Sequence, residues 1–380
     1  MGINSEKNRD WIGTWFVLAK ERGFQTEIVF GSPGKQPHEI HWQKYSHAEF
    51  DGVGLAINYF RNRGLNPIVP TLPEKYRSNF VSRLMGVLRG LRFSPVKSAK
   101  WKRVDEARLA DKSYGEYVYK ILSTEETALV LKHAKAGGVT TTSHLLWALD
   151  RVIKNEIIEG SGPHYWMIPV NMRGAVNRRT DTCNQESWVW VDTLKADGAK
   201  DIQAQMLKRF AESFHWGGWF TLNIGKWIGL KGMNWVLSQA EHVKENWVGI
   251  FSNLGSWNIN SEPVVFVVPI APTSPLSVGC ATINGRMALS LHIHPALEVS
   301  TSELNGWLDQ WMKLVTSPKG RDDSAAKCPE TEVAEGLSPG VSTRFETPEV
   351  YRNQTPKTGG PTGQIFGSCK RNGTPTPERP

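Results

Sequence analysis

The spacing of hydrophobic positions predicts a chain that alternates between helices and strands. Apolar residues at helical spacing predict helices over 8–22, 53–60, 76–91, 143–157, 202–214 and 304–314. Apolar runs bounded by turn residues predict strands over 24–30, 39–45, 117–122, 164–172, 188–194, 247–253, 263–270, 276–284 and 286–292. The polar, basic segment 97–112 is predicted to be a linker.

Two short motifs define where elements begin and turn. Ser123 with Glu126 is typical of a capping box, which predicts a further helix that ends at Gly137-Gly138. Asn284-Gly285 between two strands predicts a hairpin. The order of elements predicts an α/β fold, in the broad sense of an α+β sandwich, with mixed sheets and flanking helices in two unequal halves.

The C-terminal segment 317–380 differs in kind from the rest of the chain. It holds nine of the 22 prolines, few apolar residues and no periodicity. A segment of this composition cannot bury enough apolar surface to order itself. We therefore predict a disordered tail.

Charge and cysteine content narrow the classes of function. A net charge of +8 favours anionic partners. The basic residues come without a zinc-finger, RNP or helix-turn-helix signature, so nucleic acid is not expected as a partner. Four cysteines without a C-x-x-C pair indicate a reducing compartment and no metal site. No apolar leader and no long apolar run is seen, so a cytoplasmic protein is expected.

Sixteen tryptophans are an unusual number for this length. They are compatible with a large core, with the wall of an apolar tunnel, or with a membrane interface. The segment 214–236 is rich in tryptophan and carries Lys226 and Lys231. A helix pair that lines a tunnel is the favoured interpretation, and peripheral membrane contact is the alternative.

The most specific chemical signal is H-x-x-x-D-G, formed by His47, Asp51 and Gly52. Composition gives roughly 0.03 chance matches in a chain of this length. A histidine at a strand end is placed to act as a base, the aspartate can hold the local backbone, and the glycine permits a tight turn. The alternative is a half-buried strand-end histidine followed by an ordinary turn.

The motifs together resemble the CoA-dependent acyltransferase superfamily, which includes chloramphenicol acetyltransferase, condensation domains, polyketide-associated acyltransferases and wax ester synthases. Four stretches carry the resemblance in the family's order: His47 to Gly52, Gly138 to Leu149, Ile168 to Arg173, and Phe251 to Gly255. They resemble the family's HHxxxDG, GVT-containing helix, PVxxR strand end and SNxG strand end. The resemblance covers residues 39 to about 316.

The resemblance implies two chloramphenicol-acetyltransferase-like subdomains arranged as a V around a tunnel. The expected boundaries are 1–112 for the N-terminal subdomain and 113–316 for the C-terminal one, with the tail after them. It implies transfer of an acyl group from a CoA or carrier-protein thioester to a hydroxyl or amine, in secondary metabolism or lipid ester synthesis. Acyl-CoA or a phosphopantetheine thioester is then a co-substrate, and no permanently bound cofactor is expected.

The resemblance also implies roles for individual residues. His47 is the expected general base. Asp51 is expected to pair with Arg173 as structural support, with Gly52 beside it; the alternative for Arg173 is a surface charge. The resemblance implies that Ser252, Asn253 and, more weakly, Asn184 could reach the tunnel or stabilise an oxyanion. A plain turn at 253–255 is the alternative.

Two departures from the family pattern leave a second function open. Ser46 stands where the first histidine of the pair is expected, and only 46 residues precede His47. The short first half favours a catalytically inactive, condensation-like protein that binds a carrier protein or ligand. The complete H-x-x-x-D-G favours an acyltransferase.

Overall fold

The structure is a computed structural model that describes residues 9–34, 39–92, 100–108, 111, 113–159, 162–241 and 247–317. The helices are α1 (Trp11–Glu21), α2 (Gly52–Arg61), α3 (Phe80–Arg92), α4 (Thr124–Ala136), α5 (Thr141–Ile157), α6 (Ala199–Ala211), α7 (His215–Leu222), α8 (Gly225–Glu241) and α9 (Thr301–Thr316). The predicted tail over 318–380 lies outside the described residues.

The strands run through the whole of the described chain. They are β1 (Glu27–Pro33), β2 (Ile40–Ser46), β3 (Lys100–Trp101), β4 (Tyr117–Ile121), β5 (Ile158–Glu159), β6 (Tyr165–Asn171), β7 (Glu186–Asp192), β8 (Gly249–Trp257), β9 (Val265–Val267), β10 (Leu276–Ile283) and β11 (Arg286–Ile293). Helices and mixed sheets together confirm the predicted α/β fold class.

The main sheet has six strands in the order β4-β11-β10-β8-β6-β7. β8 runs parallel to both of its neighbours, and the other pairs are antiparallel. The helices α4, α5, α6 and α9 pack with it around a large apolar core that includes Trp166, Phe251 and Trp311. This core follows from helices that each carry one apolar stripe, which must be buried against a sheet.

A smaller sheet has the order β2-β1-β9. Its middle strand pairs with β9, more than 230 residues further along the chain, through Val29 and Val267 at the end of the register. A second core lies between this sheet, α2 and the end of β8, and includes Phe30, Phe60 and Leu254. The two parts of the chain thus share a strand, while the subdomain boundaries at 112 and 316 remain predictions.

β6 and β8 pair only briefly, and the site lies where they cease to pair. Their parallel register covers Trp166 with Gly249 and Met167 with Ile250. Beyond these pairs β6 continues towards Arg173 and β8 towards Leu254. Because the two strands are no longer hydrogen-bonded to each other there, side chains from the N-terminal part of the chain can contact both.

Most predicted elements are confirmed, and the exceptions have local causes. Asn284 and Gly285 have φ values of 48° and 76°, as a two-residue hairpin requires, and the Ser123–Glu126 capping box is present. The strand predicted over 263–270 is only three residues long, between Pro263 and Pro269, which lack the amide donor of a ladder. α3 begins at Phe80, four residues later than predicted, after Ser78 at φ 58°.

The linker predicted over 97–112 is wrong for the described residues 100–108. Lys100 and Trp101 pair with Ile158 and Glu159 as β3 and β5. The amide of Asp105 donates to the carbonyl of Ala296 at 2.9 Å. Buried Trp101 packs into the large core and anchors this segment there. The polar composition of the segment therefore did not indicate this apolar contact.

Candidate active site

His47 follows the last residue of β2 and is held by a tight turn. Its amide donates to the Thr26 carbonyl at 2.9 Å, and the amide of Phe50 donates to the Ser46 carbonyl at 3.1 Å. The imidazole is 7% exposed and stacks on the ring of Phe16 from α1, with centroids 4.2 Å apart. The N-terminal helix therefore covers one face of the imidazole.

The hydrogen bonds of the imidazole define its tautomer. Nδ1 lies 2.9 Å from the Phe50 carbonyl oxygen, which can only accept, so Nδ1 carries the proton. The side-chain nitrogen of Asn184 also lies 3.0 Å from Nδ1. It donates a hydrogen bond to the His47 carbonyl at 2.9 Å, and that bond satisfies the amide without the imidazole. Nε2 is left with its lone pair free. Burial lowers the pKa of His47, partly opposed by the Asp51 carboxylate, so the ring is neutral at pH 7.

Asp51 caps α2 and is bonded on both of its oxygens. Oδ1 accepts from the Gly54 amide at 2.6 Å and from Arg173 Nη2 at 2.9 Å. Oδ2 accepts from Arg173 Nη1 at 2.9 Å and from the Gln185 amide at 2.7 Å. Four donors on one carboxylate compensate the loss of its hydration. The predicted pairing of Asp51 with Arg173 is confirmed.

Arg173 is 2% exposed, so the alternative of a surface charge is wrong. Beyond Asp51, its guanidinium donates to the carbonyls of Asp181 and Cys183 and to the side chain of Asn171. These bonds tie the end of β6 and the segment before β7 to the N-terminal cap of α2. Removal of either charge would leave the other buried without a partner.

Gly52 supports the site in a way different from the one predicted. It is the first residue of α2 and is not among the glycines with positive φ, so the turn does not require it. A Cβ at this position would lie 2.8 Å from Leu254 Cδ2 at the end of β8. Gly52 therefore permits close packing of the helix start on β8.

Glu186 is a site residue that the sequence reasoning missed. Its Oε2 lies 3.9 Å from His47 Nε2, and its carboxyl receives no hydrogen bond from the described residues. Burial, with a smaller contribution from the Asp51 charge, raises the pKa of Glu186 to about 8. The carboxyl is therefore mostly protonated at neutral pH. The strand was predicted to begin at Trp188, whereas β7 begins at Glu186.

The neighbours Ser252 and Asn253 lie on opposite faces of β8. Asn253 donates to Thr142 Oγ1 at 3.1 Å and accepts from the Gly255 amide at 2.9 Å, so its amide is engaged on the α5 side. Ser252 shares the face of Leu254, which contacts Gly52. No hydrogen bond to its hydroxyl is found within the described chain. Ser252 is thus the better placed of the two.

Asn184 lies closer to His47 than either β8 residue. Besides the bond to the His47 carbonyl, its side-chain oxygen accepts from the Glu186 amide at 3.0 Å. It therefore joins the His47 turn to the first residue of β7. Its oxyanion role and that of Ser252 remain predictions.

Within the described ranges, no group of three or more His, Cys, Asp or Glu side chains is placed to hold a metal ion. None of the helices in the part of the chain described above is long and apolar enough to cross a membrane.

Comparisons with known proteins give structural neighbours but no sequence relatives. No protein-family model matches the chain, and no curated protein matches it. Polyketide synthase associated protein 5 from Mycobacterium tuberculosis is similar at 13% identity and a TM-score of 0.43, over 74% of each chain. The TRI3 trichothecene 15-O-acetyltransferase from Fusarium sporotrichioides is similar at 12% identity and a TM-score of 0.41, over 81% of this chain and 75% of its own.

A third neighbour is the EpoB NRPS cyclization-docking bidomain from Sorangium cellulosum, at 14% identity and a TM-score of 0.46. This match covers 73% of the present chain and spans 59% of the bidomain. The three identities lie between 12% and 14%, and all three TM-scores lie below 0.5.

Proposed function

We propose that the protein transfers an acyl group from a thioester to a hydroxyl or amine, with His47 as the general base. The observation that carries the proposal is the state of the imidazole. Nδ1 is fixed by the Phe50 carbonyl, and Nε2 is neutral, unbonded and directed to Glu186. A base near neutral pH needs this combination of fixed orientation and free lone pair.

In the proposed reaction Nε2 removes the proton of the acceptor as its oxygen or nitrogen attacks the thioester carbonyl. The tetrahedral intermediate then collapses, the carbon–sulfur bond breaks, and the imidazolium returns its proton to the departing thiolate. The products are an ester or amide and a free thiol. General-base assistance of this kind contributes about 10²–10⁴ in rate.

Glu186 is proposed to help stabilise the intermediate. A carboxyl that stays protonated at neutral pH can donate a hydrogen bond to a developing oxyanion. The Glu186 carboxyl lies 3.9 Å from His47 Nε2. It is therefore within reach of a thioester carbonyl that is attacked by an acceptor hydrogen-bonded to Nε2. Ser252, on the face of β8 that contacts Gly52, is the second proposed donor.

The donor is proposed to be acyl-CoA or the phosphopantetheine arm of a carrier protein. Both present phosphate groups, which suit a chain with a net charge of +8.

A second candidate is a condensation-like protein that binds such a thioester without turnover. It is favoured by one observation, which is the nearly complete coverage of His47. Phe16 lies flat on the ring and Glu186 occupies the side on which an acceptor would approach. An acyltransferase of this form must admit its acceptor between Nε2 and Glu186.

Free-thiol release separates the two candidates. Acyl-CoAs of several chain lengths, and an acylated carrier protein, would be mixed with alcohols and amines and the wild-type chain. We expect acceptor-dependent thiol release that falls about 10²–10⁴-fold in His47→Ala. His41→Ala is the matched control, because His41 lies exposed on β2, the strand that precedes His47, and should retain the wild-type rate.

Thioester binding without acceptor-dependent release in the folded wild-type chain would favour the binding protein. Release that persists in His47→Ala would remove His47 as the base. Melting curves of both variants establish that they fold.

A further inference from the structure

Large apolar side chains are exposed mainly on two helices. Eight of the 13 exposed large hydrophobic residues within the described ranges belong to α3 or α8. The most exposed are Phe80 at 79%, Trp227 at 76%, Val81 at 67% and Trp235 at 65%. Exposed apolar residues scattered singly are ordinary, but a concentration of this kind marks an interaction surface.

The large apolar side chains of α3 lie on the face of the helix that does not pack on the rest of the protein. Gly86 and Gly90 lie on the opposite side of the helix, at about 100° per residue, from Phe80, Leu84 and Leu88. A Cβ at Gly90 would lie 2.8 Å from the Cα of Gly217 in α7. The small residues thus face the protein, and the large apolar ones face outward.

α8 is kinked at Gly229, and Trp227, which precedes the kink, lies beside the same central helix. The ring of Trp227 lies 6.5 Å from that of Phe220 in α7, on which α3 also packs. Met233 and Leu237, on the inner side of α8, are buried against α1. We call the outward side chains Phe80, Val81, Leu84, Leu88, Trp227 and Trp235 the α3–α8 surface.

The charge around the α3–α8 surface is mainly positive. Residues 80–92 and 215–241 contain three arginines and two lysines, and their one acidic residue is Glu241, the last residue of α8. Arg92, Lys226 and Lys231 are exposed. Tryptophan with lysine and arginine is the combination that binds at the headgroup level of a bilayer. A second copy of the same surface would instead oppose one basic set with another.

We propose that the α3–α8 surface docks the protein on a membrane that carries anionic headgroups. The apolar side chains enter the boundary between headgroups and acyl chains, and the lysines and arginines contact the lipid phosphates. α1 connects this surface to the candidate site, since it packs on α8 and its Phe16 stacks on His47. Docking does not depend on acyl transfer.

Vesicle co-sedimentation of the full chain tests this proposal. Vesicles of phosphatidylcholine are compared with vesicles that contain about 30% phosphatidylglycerol. We expect binding to the anionic vesicles only, weakened by salt. The paired change Lys226→Glu with Lys231→Glu should reduce the partition coefficient on the order of thirtyfold. Lys132→Glu with Lys135→Glu on α4 changes net charge equally and should leave binding within about twofold.

A second pair of variants tests the contribution of the apolar side chains to vesicle binding. Trp227→Ser with Trp235→Ser should reduce binding to anionic vesicles about tenfold or more. Leu129→Ser with Leu131→Ser, at exposed positions of α4, should leave it unchanged. His47→Ala should bind as the wild type does, so a failure of docking and a failure of catalysis are distinguishable.

Three results would overturn the proposal. The first is no binding, equal binding to both kinds of vesicle, or equal loss in the α4 controls. The second is a dimer in sedimentation without lipid that Trp227→Ser with Trp235→Ser dissociates, which would assign the surface to self-association. The third is binding of an acidic acyl carrier protein, but of no vesicle, that Lys226→Glu with Lys231→Glu abolishes.

Discussion

Two carboxyl groups of the candidate site, Asp51 and Glu186, lie in very different surroundings. Asp51 accepts four hydrogen bonds and is paired with the Arg173 guanidinium. Glu186 receives none from the described residues, and burial raises its pKa to about 8. One side of the site is a fully bonded support, and the other is left with free hydrogen-bonding capacity next to His47 Nε2.

This difference indicates that the two carboxyl groups have different functions in the site. A buried charge with all partners present is rigid and costly to disturb. A half-buried carboxyl without hydrogen-bond partners, such as that of Glu186, stays neutral and available to a ligand. We therefore expect changes on the Asp51 side to act mainly on stability and changes on the Glu186 side to act mainly on rate.

The largest expected effect is on the supporting side. Arg173→Ala should lower the free energy of unfolding by about 3–5 kcal/mol, because Asp51 is left buried and unpaired. Urea denaturation measures it. Arg61→Ala is the matched control, since Arg61 also makes two 2.7 Å bonds to a carboxylate, that of Asp181, but at an exposed position. Its cost should be about 0–1 kcal/mol. Equal costs for the two arginines would contradict a buried, supporting role.

On the reactive side, Ser252→Ala should lower kcat about 10²-fold if its hydroxyl contacts the oxyanion, with little change in melting temperature. Asn253→Ala should do the reverse, since its amide bonds to Thr142 and Gly255 rather than to the site. Rate assays with melting curves on both variants measure this. A rate loss confined to Asn253→Ala would show that the two faces of β8 are assigned the wrong way round.

The smallest expected effect concerns the packing that holds the two sides together. A Cβ at Gly54 would overlap the Thr182 carbonyl oxygen and lie 2.8 Å from the Arg173 guanidinium. Gly54→Ala should therefore destabilise the fold by about 1–3 kcal/mol. Gly306→Ala, in α9 with nothing within 4 Å of its Cβ, should stabilise it by about 0.5–1 kcal/mol. Chemical denaturation of both checks the opposite signs; stabilisation by Gly54→Ala would contradict the close approach.

The supporting side and His47 could be predicted from the sequence, whereas Glu186 on the reactive side could not. The family resemblance carried by H-x-x-x-D-G and the PVxxR strand end implied the Asp51–Arg173 pair. Glu186 lies in a polar run, Asn184 to Ser187, directly before a tryptophan-rich strand. A polar run is typical of a loop, so only the fold shows that this half-buried glutamate lies near His47.

Contacts between residues distant along the chain could not be predicted from the sequence either. Phe16 stacks on His47 from a helix whose apolar stripe predicted burial without a partner. β9 pairs with β1, which no local periodicity encodes. In α3 the pattern predicted a helix, but its packed side is formed by Gly86 and Gly90 and its apolar side is exposed. The periodicity of apolar residues identifies the apolar face of a helix, but it does not show which part of the protein, if any, packs against that face.

In the proposed active site, neutral His47 and protonated Glu186 form the reactive side. The titratable and charged groups around this pair are Asp51 and Arg173, which stay paired with each other. The most direct measurement is the pH dependence of kcat/KM for acyl transfer in the wild type and in Glu186→Gln, which keeps a donor but cannot ionise.

In the wild type we predict a rate that rises with pH below 6.5, as His47 loses its proton, and falls as pH passes about 8, as Glu186 loses its own. Glu186→Gln should retain the rise and lose the fall. A fall near pH 8 that persists unchanged in Glu186→Gln would contradict the account.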